Sequence, residues 1–196
     1  MKKELKNDLL LYPCPVLLVT AKYKNTENVF TVSWAGIACS HPEYITISIK
    51  PSRFSYSIIQ QSGCFTVNIV NEKLLPIADY CGTFSGKNHD KFTECKLTKV
   101  PGHTIDVPLI EECPINIECQ VEQIIKLGSH DLFIGKVLCK LIDSNIDIRN
   151  MHTMLTPLTY FRPNYYALND NCLGTYGKSF GLTNRSISEN QAPKKL

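Results

Sequence analysis

Residues 28–59 have the sequence NVFTVSWAGIACSHPEYITISIKPSRFSYSII, and the predicted fold is built outward from this stretch. Positions 29–34 alternate between two kinds of side chain, which is typical of a strand with two different faces. The small residues at 35–40 predict a bend, and a turn follows at 41–42. Positions 44–49 alternate again and are rich in β-branched residues, which indicates a second strand.

The stretch ends in a predicted helix, which begins after Pro51-Ser52-Arg53 and ends at Gly63. Ser52, Arg53 and Ser55 lie at its N-terminus, where free backbone N–H groups and the helix dipole favour a phosphate. An ordinary N-cap at Ser52 and a solvated side chain at Arg53 would explain the same residues without any ligand.

The first strand adds polar groups that could hold a ring. Thr31 and Ser33 lie on one face of it, and their hydroxyls can bond the polar edge of a heterocycle. Trp34, the only tryptophan of the chain, follows directly. Hydroxyls for a heterocycle and a cationic helix start for a phosphate together indicate a mononucleotide-type cofactor.

Four patterns follow one another along the chain: Asn28-x-x-Thr31-x-Ser33-Trp34-x-Gly36, Pro51-x-Arg53-x-Ser55, Ser85-Gly86-x-x-x-Asp90-Lys91-Phe92 and Gly128-x-His130-x-x-x-x-Gly135-x-Val137. In these patterns the chain resembles the flavin reductase-like, FMN-binding split-barrel family, and flavoredoxins in particular, over roughly residues 10–170. The resemblance implies that FMN is the cofactor, and that the protein is a homodimer with the flavin near the subunit interface.

The resemblance also implies a set of cofactor-binding residues: Asn28, Thr31, Val32, Ser33, Trp34, Ala35, Ser52, Arg53, Ser55, Ser85, Gly86, Lys91 and Phe161. Lys91 lies in a segment, 81–92, whose composition predicts a loop and a solvent-facing lysine. The resemblance instead implies that Lys91 lies beside the flavin, where its charge would stabilise the reduced ring. Phe161 belongs to an aromatic cluster at 157–166, which would otherwise indicate core or a subunit interface.

His130 lies in a predicted hairpin turn and is by default a polar turn residue. The resemblance implies instead that it lies where a nicotinamide could dock. Ser129 stands where the family often has an aspartate before this histidine. No side chain is predicted to be a covalent catalyst, because the cofactor carries the chemistry.

The remaining elements predict the fold class. Further strands are predicted at 16–20, 64–70, 115–127 and 132–142, and a helix capped by Asn71 at 72–80. The pattern predicts a mainly β fold, an antiparallel Greek-key barrel with a few helices. The resemblance narrows this to the FMN-binding split barrel.

Length and composition set the remaining expectations. The 196 residues predict a single domain over 1–178, followed by a polar C-terminal tail over 179–196. The net charge of +3 is small and its basic residues are scattered, so no nucleic-acid partner is expected. Without a signal sequence or a membrane-crossing apolar run, the protein is expected to be cytoplasmic.

Nine cysteines are present, without a CxxC pair and without Cys or His at zinc spacing. They are therefore predicted to be reduced thiols, with no metal site. Cys39 lies close to the predicted cofactor residues, which leaves a redox-thiol function as a weaker alternative.

The predicted function is an FMN-binding oxidoreductase, which takes electrons from NAD(P)H or a reduced partner protein and passes them on through the flavin. Within the same fold, a flavin reductase that uses FMN as a diffusing substrate is the alternative. A different class would be a non-enzymatic barrel that binds a haem, an oligonucleotide or only a partner protein. An oligonucleotide barrel should display aromatic residues between basic ones on one sheet face.

Overall fold

The structure is a computed structural model that describes residues 10–168 together with Lys2, Glu4 and Leu173. The predicted C-terminal tail at 179–196 lies outside the described residues, as does Cys172. None of the described helices has the length and apolar character needed to span a bilayer.

The described strands, in chain order, are β1 (Cys14–Pro15), β2 (Leu17–Tyr23), β3 (Thr26–Val32), β4 (Ala35–Ser40), β5 (Glu43–Ile49), β6 (Cys64–Ile69), β7 (Lys99–Val100), β8 (Leu109–Ile110), β9 (Ile115–Lys126), β10 (Asp131–Ile142), β11 (Leu158–Phe161) and β12 (Asn164–Ala167). The described α-helices are α1 (Phe54–Ser62), α2 (Leu75–Thr83), α3 (Lys91–Glu94) and α4 (Met151–Met154). Short 3-10 helices span Glu72–Leu74 and Ile148–Asn150.

Seven strands form one antiparallel sheet in the order β3-β2-β6-β9-β10-β5-β4. Its two outer strands are consecutive in the chain, so one extended segment from 26 to 40 pairs first with β2 and then with β5. At the crossing point the backbone N–H of Ser48 donates to the carbonyl of Trp34 at 2.9 Å. The sheet therefore closes on itself, and the predicted antiparallel barrel is confirmed.

The prediction of a bend at 35–40 is wrong, because this segment is strand β4. Ala35 pairs with Ile47 and Gly36 with Thr46, and the register shifts between Ile37 and Cys39. Small residues such as these give no apolar alternation, so the strand is specified by backbone pairing with β5 rather than by a side-chain pattern.

Two boundaries between 72 and 92 also differ from the prediction. The chain after Asn71 forms a 3-10 turn first, and α2 begins only at Leu75 because Pro76 belongs in a first helical turn. The predicted loop at 81–92 is shorter, since α2 continues to Thr83 and α3 begins at Lys91. Asp90 caps α3 by accepting a hydrogen bond from the backbone N–H of Thr93.

The core has two parts, on the two faces of strand β2. Its alternate residues Leu17 and Val19 point into the barrel and pack with Phe65 and Phe133. Leu18, between them, packs outside the barrel in the cluster beneath α2 and α3. This outer packing fixes the chain around 81–91 against β3, where the candidate site lies.

Helix α1 follows β5 as predicted and ends at Gly63, whose φ of 68° suits glycine. Its buried residues include Ser55, Tyr56, Ile58 and Ile59. The helix N-terminus is held against β3, since Ser55 accepts a hydrogen bond from Asn28.

Candidate functional site

Two adjoining cavities lie between β3, the start of α1 and the segment after α2. The inner cavity, of about 30 Å³, is lined by Asn28, Phe30, Thr31, Arg53, Phe54, Ser55, Cys81, Gly82, Phe84, Ser85, Gly86 and Lys91. The outer cavity, of about 170 Å³, is lined by Phe30, Thr31, Val32, Ser33, Trp34, Ser48, Ile49, Lys50, Arg53 and His130. Phe30, Thr31 and Arg53 border both, so the two cavities form one cleft.

The inner cavity is built on a buried hydrogen bond between two predicted residues. The side-chain amide of Asn28 on β3 donates to the hydroxyl of Ser55 on α1 at 2.7 Å. Gly86 packs against this pair so closely that a Cβ there would lie 2.1 Å from Oδ1 of Asn28. Glycine is therefore required at 86 by the contact, and three elements meet at this point.

Lys91 lies at the base of the inner cavity with only 2% of its surface exposed. Its ammonium donates to the carbonyl of Cys81 at 3.0 Å and to that of Phe84 at 3.3 Å. These oxygens lie at the C-terminal end of α2, where the helix dipole favours a cation. The expectation of a solvent-facing lysine, which composition alone favoured, is wrong.

Burial of Lys91 disfavours its charged form. Burial lowers the pKa of the Lys91 ammonium, and the positive charge of Arg53 acts in the same direction. While it is protonated, the lysine is a fixed cation at the base of the cleft, because the two carbonyl oxygens set its position.

Thr31 lines both cavities, but its hydroxyl is engaged. Its Oγ1 donates to the carbonyl of Ala78 on α2 at 2.5 Å. The oxygen can still accept a hydrogen bond, so Thr31 could meet a donor on a ring but not a further acceptor. Ser33, two residues later, lines the outer cavity.

Aromatic and basic side chains surround the outer cavity. The ring centroids of Trp34 and His130 are 4.3 Å apart, and Nδ1 of His130 lies 3.0 Å from the hydroxyl oxygen of Ser129. Burial lowers the pKa of the His130 imidazole, and the positive charges of Lys50 and Arg53 lower it further. Every ionisable lining residue of this cavity is a base.

Three predicted residues are absent from the lining of both cavities: Ala35, Ser52 and Phe161. Ser52 is exposed, and the N-cap of α1 is Arg53, which makes no side-chain cap, so the ordinary N-cap expected at Ser52 is wrong. Ala35 lines a neighbouring cavity with Tyr12 and Trp34. The half-exposed ring of Phe161 contacts Tyr12, with centroids 4.8 Å apart, and Tyr12 lines this neighbouring cavity rather than the cleft.

Several lining residues were not predicted from the sequence, and Lys50 is the most important of them. It lies between the end of β5 and the Pro51-x-Arg53 pattern, and that adjacency is the signal that could have identified it. Phe30 and Phe54 gave no signal, because a lining phenylalanine has the same sequence pattern as a core phenylalanine.

The thiols lie apart from the outer cavity. Every cysteine in the described ranges is free. Cys39, expected near the cofactor residues, instead lines an apolar cavity formed by β2, β4, β5, β6, β9 and β10. Cys81 does line the inner cavity, and burial raises its pKa to about 12, which suppresses the reactive thiolate. Across the described residues, no cluster of three or more His, Cys, Asp or Glu could hold a metal ion.

Comparisons with known proteins agree with this geometry. A family model for the flavin reductase like domain matches residues 9–169. The structure of flavoredoxin from Desulfovibrio vulgaris (Miyazaki F) is 31% identical, with a TM-score of 0.83 over 91% of this chain and all of that one.

Two sequence relatives have different descriptions. An uncharacterized protein of Archaeoglobus fulgidus is 33% identical over 70% of this chain and 78% of its own length. The NADH-dependent FMN reductase AsuE2 of Streptomyces nodosus subsp. asukaensis is 23% identical over 87% of each chain. The family match and the flavoredoxin likeness confirm the resemblance found in the sequence. This chain therefore belongs to the flavin reductase-like, FMN-binding split-barrel family, and it is close to flavoredoxin.

Proposed function

We propose that the protein is an FMN-binding oxidoreductase that passes electrons from NAD(P)H or a reduced protein partner through bound FMN. The observation that carries the proposal is the cleft itself, in which a hydrogen-bonded inner cavity adjoins a basic outer cavity with no carboxylate in the lining of either. Flavoredoxin and AsuE2, as relatives of this chain, support the same choice of cofactor and reaction.

The lining residues fit a flavin mononucleotide. Its phosphate needs cationic and hydroxyl donors, and Arg53 and Ser55 border the inner cavity, with Ser52 one residue before the N-cap. The planar fork of Arg53 can bond two phosphate oxygens at once. In the described part of the chain, Arg53 forms no ion pair that a ligand would have to break.

Other residues would hold the ring and the chain that joins it to the phosphate. Thr31 and Ser33, with the backbone of Val32, Trp34 and Ala35, would border the ring, while Ser85, Gly86 and Lys91 would line the ring or its side chain. FMN, when bound, supplies the hydride and electron transfer. The fixed ammonium of Lys91 would favour negative charge nearby, and His130 would lie on the side that a nicotinamide approaches.

We also propose a homodimer. Ile37 on the edge strand β4 is 86% exposed and borders the apolar cavity described above. An exposed edge strand with apolar side chains is a surface that proteins usually cover. Light scattering should give twice the mass of the 22.1 kDa chain, and a monomer at micromolar concentration would refute the dimer.

A second candidate within the same family is a reductase that uses FMN as a diffusing substrate. The openness of the outer half favours it, because 43% of the Trp34 surface is exposed. The rate at which FMN leaves the protein separates the two, since a bound electron carrier keeps its flavin through gel filtration and a reductase loses it.

The deciding experiment is the visible absorption spectrum of the purified protein, followed by anaerobic titration with NADH and NADPH. Flavin peaks that bleach on titration would support an NAD(P)H-dependent flavoprotein. Peaks that bleach only with dithionite would indicate a protein donor. A colourless protein that does not take up added FMN would refute the proposal and return a non-enzymatic binding barrel as the best alternative.

A further inference from the structure

Three side chains meet beside the segment 84–90, which joins α2 to α3. The hydroxyl of Tyr80 on α2 donates to the carboxylate of Glu94 on α3. Nδ1 of His89, which lies within the segment, is 3.0 Å from the same carboxylate oxygen and 3.1 Å from the hydroxyl oxygen of Tyr80. This cluster of three residues, the latch, ties the two helices and the segment between them together.

No member of the latch lines either cavity of the cleft. The latch reaches the cleft through Phe84, whose ring centroid is 4.4 Å from that of Tyr80 and 4.9 Å from that of His89. Phe84, Ser85 and Gly86 line the inner cavity. The segment that the latch holds is therefore one wall of that cavity.

This wall has few other attachments. Residues 84–90 belong to neither a strand nor a helix, and a single turn is hydrogen-bonded within them. On the side of the cavity, Lys91 donates to the carbonyl of Phe84, and Gly86 packs against Asn28. The position of the wall therefore depends on a few side-chain contacts, of which the latch makes the largest group.

The protonation states of the latch suit a fixed attachment. Hydrogen bonds from Tyr80 and His89 hold the pKa of the Glu94 carboxyl below its usual range. The hydrogen bond to Glu94 raises the pKa of Tyr80 to about 12. Around neutral pH the carboxylate is therefore an acceptor and the hydroxyl a donor, so the bond between them keeps one direction.

We propose that Tyr80, His89 and Glu94 are positioning residues for FMN, which hold the segment 84–90 in place as a wall of the inner cavity. This inference rests on the proposed function, because FMN is the ligand whose affinity the latch controls. When the latch is open, the segment no longer closes the cavity. FMN binds the closed form, so its apparent affinity falls in proportion to the closed fraction.

The test begins with Glu94→Ala, which removes the shared acceptor. Hydrogen exchange in the flavin-free protein reports on the segment directly, because the backbone N–H of Asn88 donates to the carbonyl of Ser85 at 3.0 Å. We expect exchange at 85–88 to accelerate about tenfold, while exchange in β9 and β10 stays as in the wild type.

The second measurement on this variant is a fluorescence titration with FMN. The dissociation constant should rise about tenfold, the effect of one lost hydrogen bond to a charged group. Urea unfolding should change little, because the side chains of His89 and Glu94 are 33% and 39% exposed and exposed pairs contribute little to stability. A change in affinity without a matching change in stability separates a positioning role from a structural one.

Further variants make the test specific. Tyr80→Phe keeps the ring against Phe84 and removes only the hydroxyl, so FMN affinity should fall about threefold. Combined with Glu94→Ala it should add nothing, because the two residues share one hydrogen bond. Glu94→Gln keeps an acceptor oxygen and should recover part of the affinity. Glu72→Ala, at an exposed glutamate in the 3-10 turn before α2, is the matched control and should change neither exchange nor affinity.

Three results would overturn the role of the latch. One is exchange at 85–88 that Glu94→Ala leaves unchanged, and another is accelerated exchange with an unchanged FMN dissociation constant. The third is a loss of affinity that Glu94→Gln does not relieve and to which Tyr80→Phe adds. Failure of the proposed function is distinguishable, because exchange is measured without flavin, whereas a wild type that takes up no FMN fails in the absorption experiment.

Discussion

The two halves of the cleft differ in how their polar side chains are satisfied. In the inner half the polar groups are buried and paired: Asn28 with Ser55, and Lys91 with two carbonyl oxygens at the end of α2. In the outer half Lys50 and Arg53 are exposed and form no ion pair with a described residue.

This difference predicts which residues affect both stability and ligand binding, and which affect ligand binding alone. Buried polar groups must be satisfied inside the protein, so a change in the inner half should disturb folding as well as ligand binding. Exposed charges are satisfied by water until a ligand arrives, so a change in the outer half should affect binding alone. The following variants test that separation.

Gly86→Ala should have the largest effect. The new methyl group would overlap Asn28, 2.1 Å from Oδ1 and 2.5 Å from Cγ, and would break its hydrogen bond to Ser55. Overpacking a closed site costs about 1–3 kcal/mol, and the uptake of FMN should fall with it. Urea unfolding and fluorescence titration with FMN measure the two effects.

Gly36→Ala is the control for this variant. A Cβ at position 36 would meet no atom within 4 Å, so stability and flavin uptake should stay near those of the wild type. Equal behaviour of the two variants would show that the inner half is not as tightly packed as its contacts indicate.

Lys91→Met should come next. It leaves the carbonyls of Cys81 and Phe84 without their donor, which should lower the free energy of unfolding by about 1–3 kcal/mol. Lys87→Met, in the same segment but exposed, should cost much less. Chemical denaturation of both variants provides the comparison, and equal costs would remove Lys91 from its structural role.

The lowered pKa of Lys91 also predicts that the free energy of unfolding depends on pH. Because burial lowers the pKa of Lys91 in the folded protein, the unfolded chain binds more protons between that lowered value and 10.5. The free energy of unfolding of the wild type, relative to Lys91→Met, should therefore rise with pH across that window. A flat difference between wild type and variant, measured by denaturation from pH 7 to 10.5, would contradict the lowered pKa.

Arg53→Ala should weaken the binding of FMN about tenfold and leave folding nearly unchanged, since one charged hydrogen bond contributes about 1.5 kcal/mol. Its side chain makes no helix cap and is exposed, so little else is lost. Arg149→Ala, an equally exposed arginine at the short helix 148–150, is the control. An unchanged FMN dissociation constant would remove Arg53 from the site.

Phe161→Leu should have the smallest effect, less than about twofold on the FMN dissociation constant. Its ring contacts Tyr12 and lines neither cavity, whereas Trp34 lines the outer one. Loss of an aromatic contact is costly only where the ring is stacked and desolvated. Quenching of flavin fluorescence compares it with Trp34→Leu, and a larger change in Phe161→Leu would return Phe161 to the cofactor-binding residues that the resemblance implies.

Most of the strands and helices could be predicted from the sequence, because their signals lie in short stretches of the chain. Alternation predicted β5 and the long hairpin of β9 and β10, and Gly63 predicted the end of α1. It failed at β4, because a run of small residues has no periodicity and depends on its partner strand for its conformation.

Part of the candidate site could likewise be predicted from the sequence, and part could not. The family resemblance, which the order of the motifs carries, selected Asn28, Arg53, Ser55, Gly86 and Lys91, all of which line the inner cavity. Their bonding partners were not predictable, since the carbonyls that hold Lys91 belong to α2 and are placed by packing beneath the barrel.

By itself, then, the sequence determined most of the strands along the chain, the family resemblance and the residue types of a mononucleotide site, because these depend on neighbours along the chain. The tertiary structure decided which of those residues are buried and paired and which are exposed. It alone brought Lys50 and His130, eighty positions apart, to one cavity, because β5 and β10 are adjacent in the closed sheet.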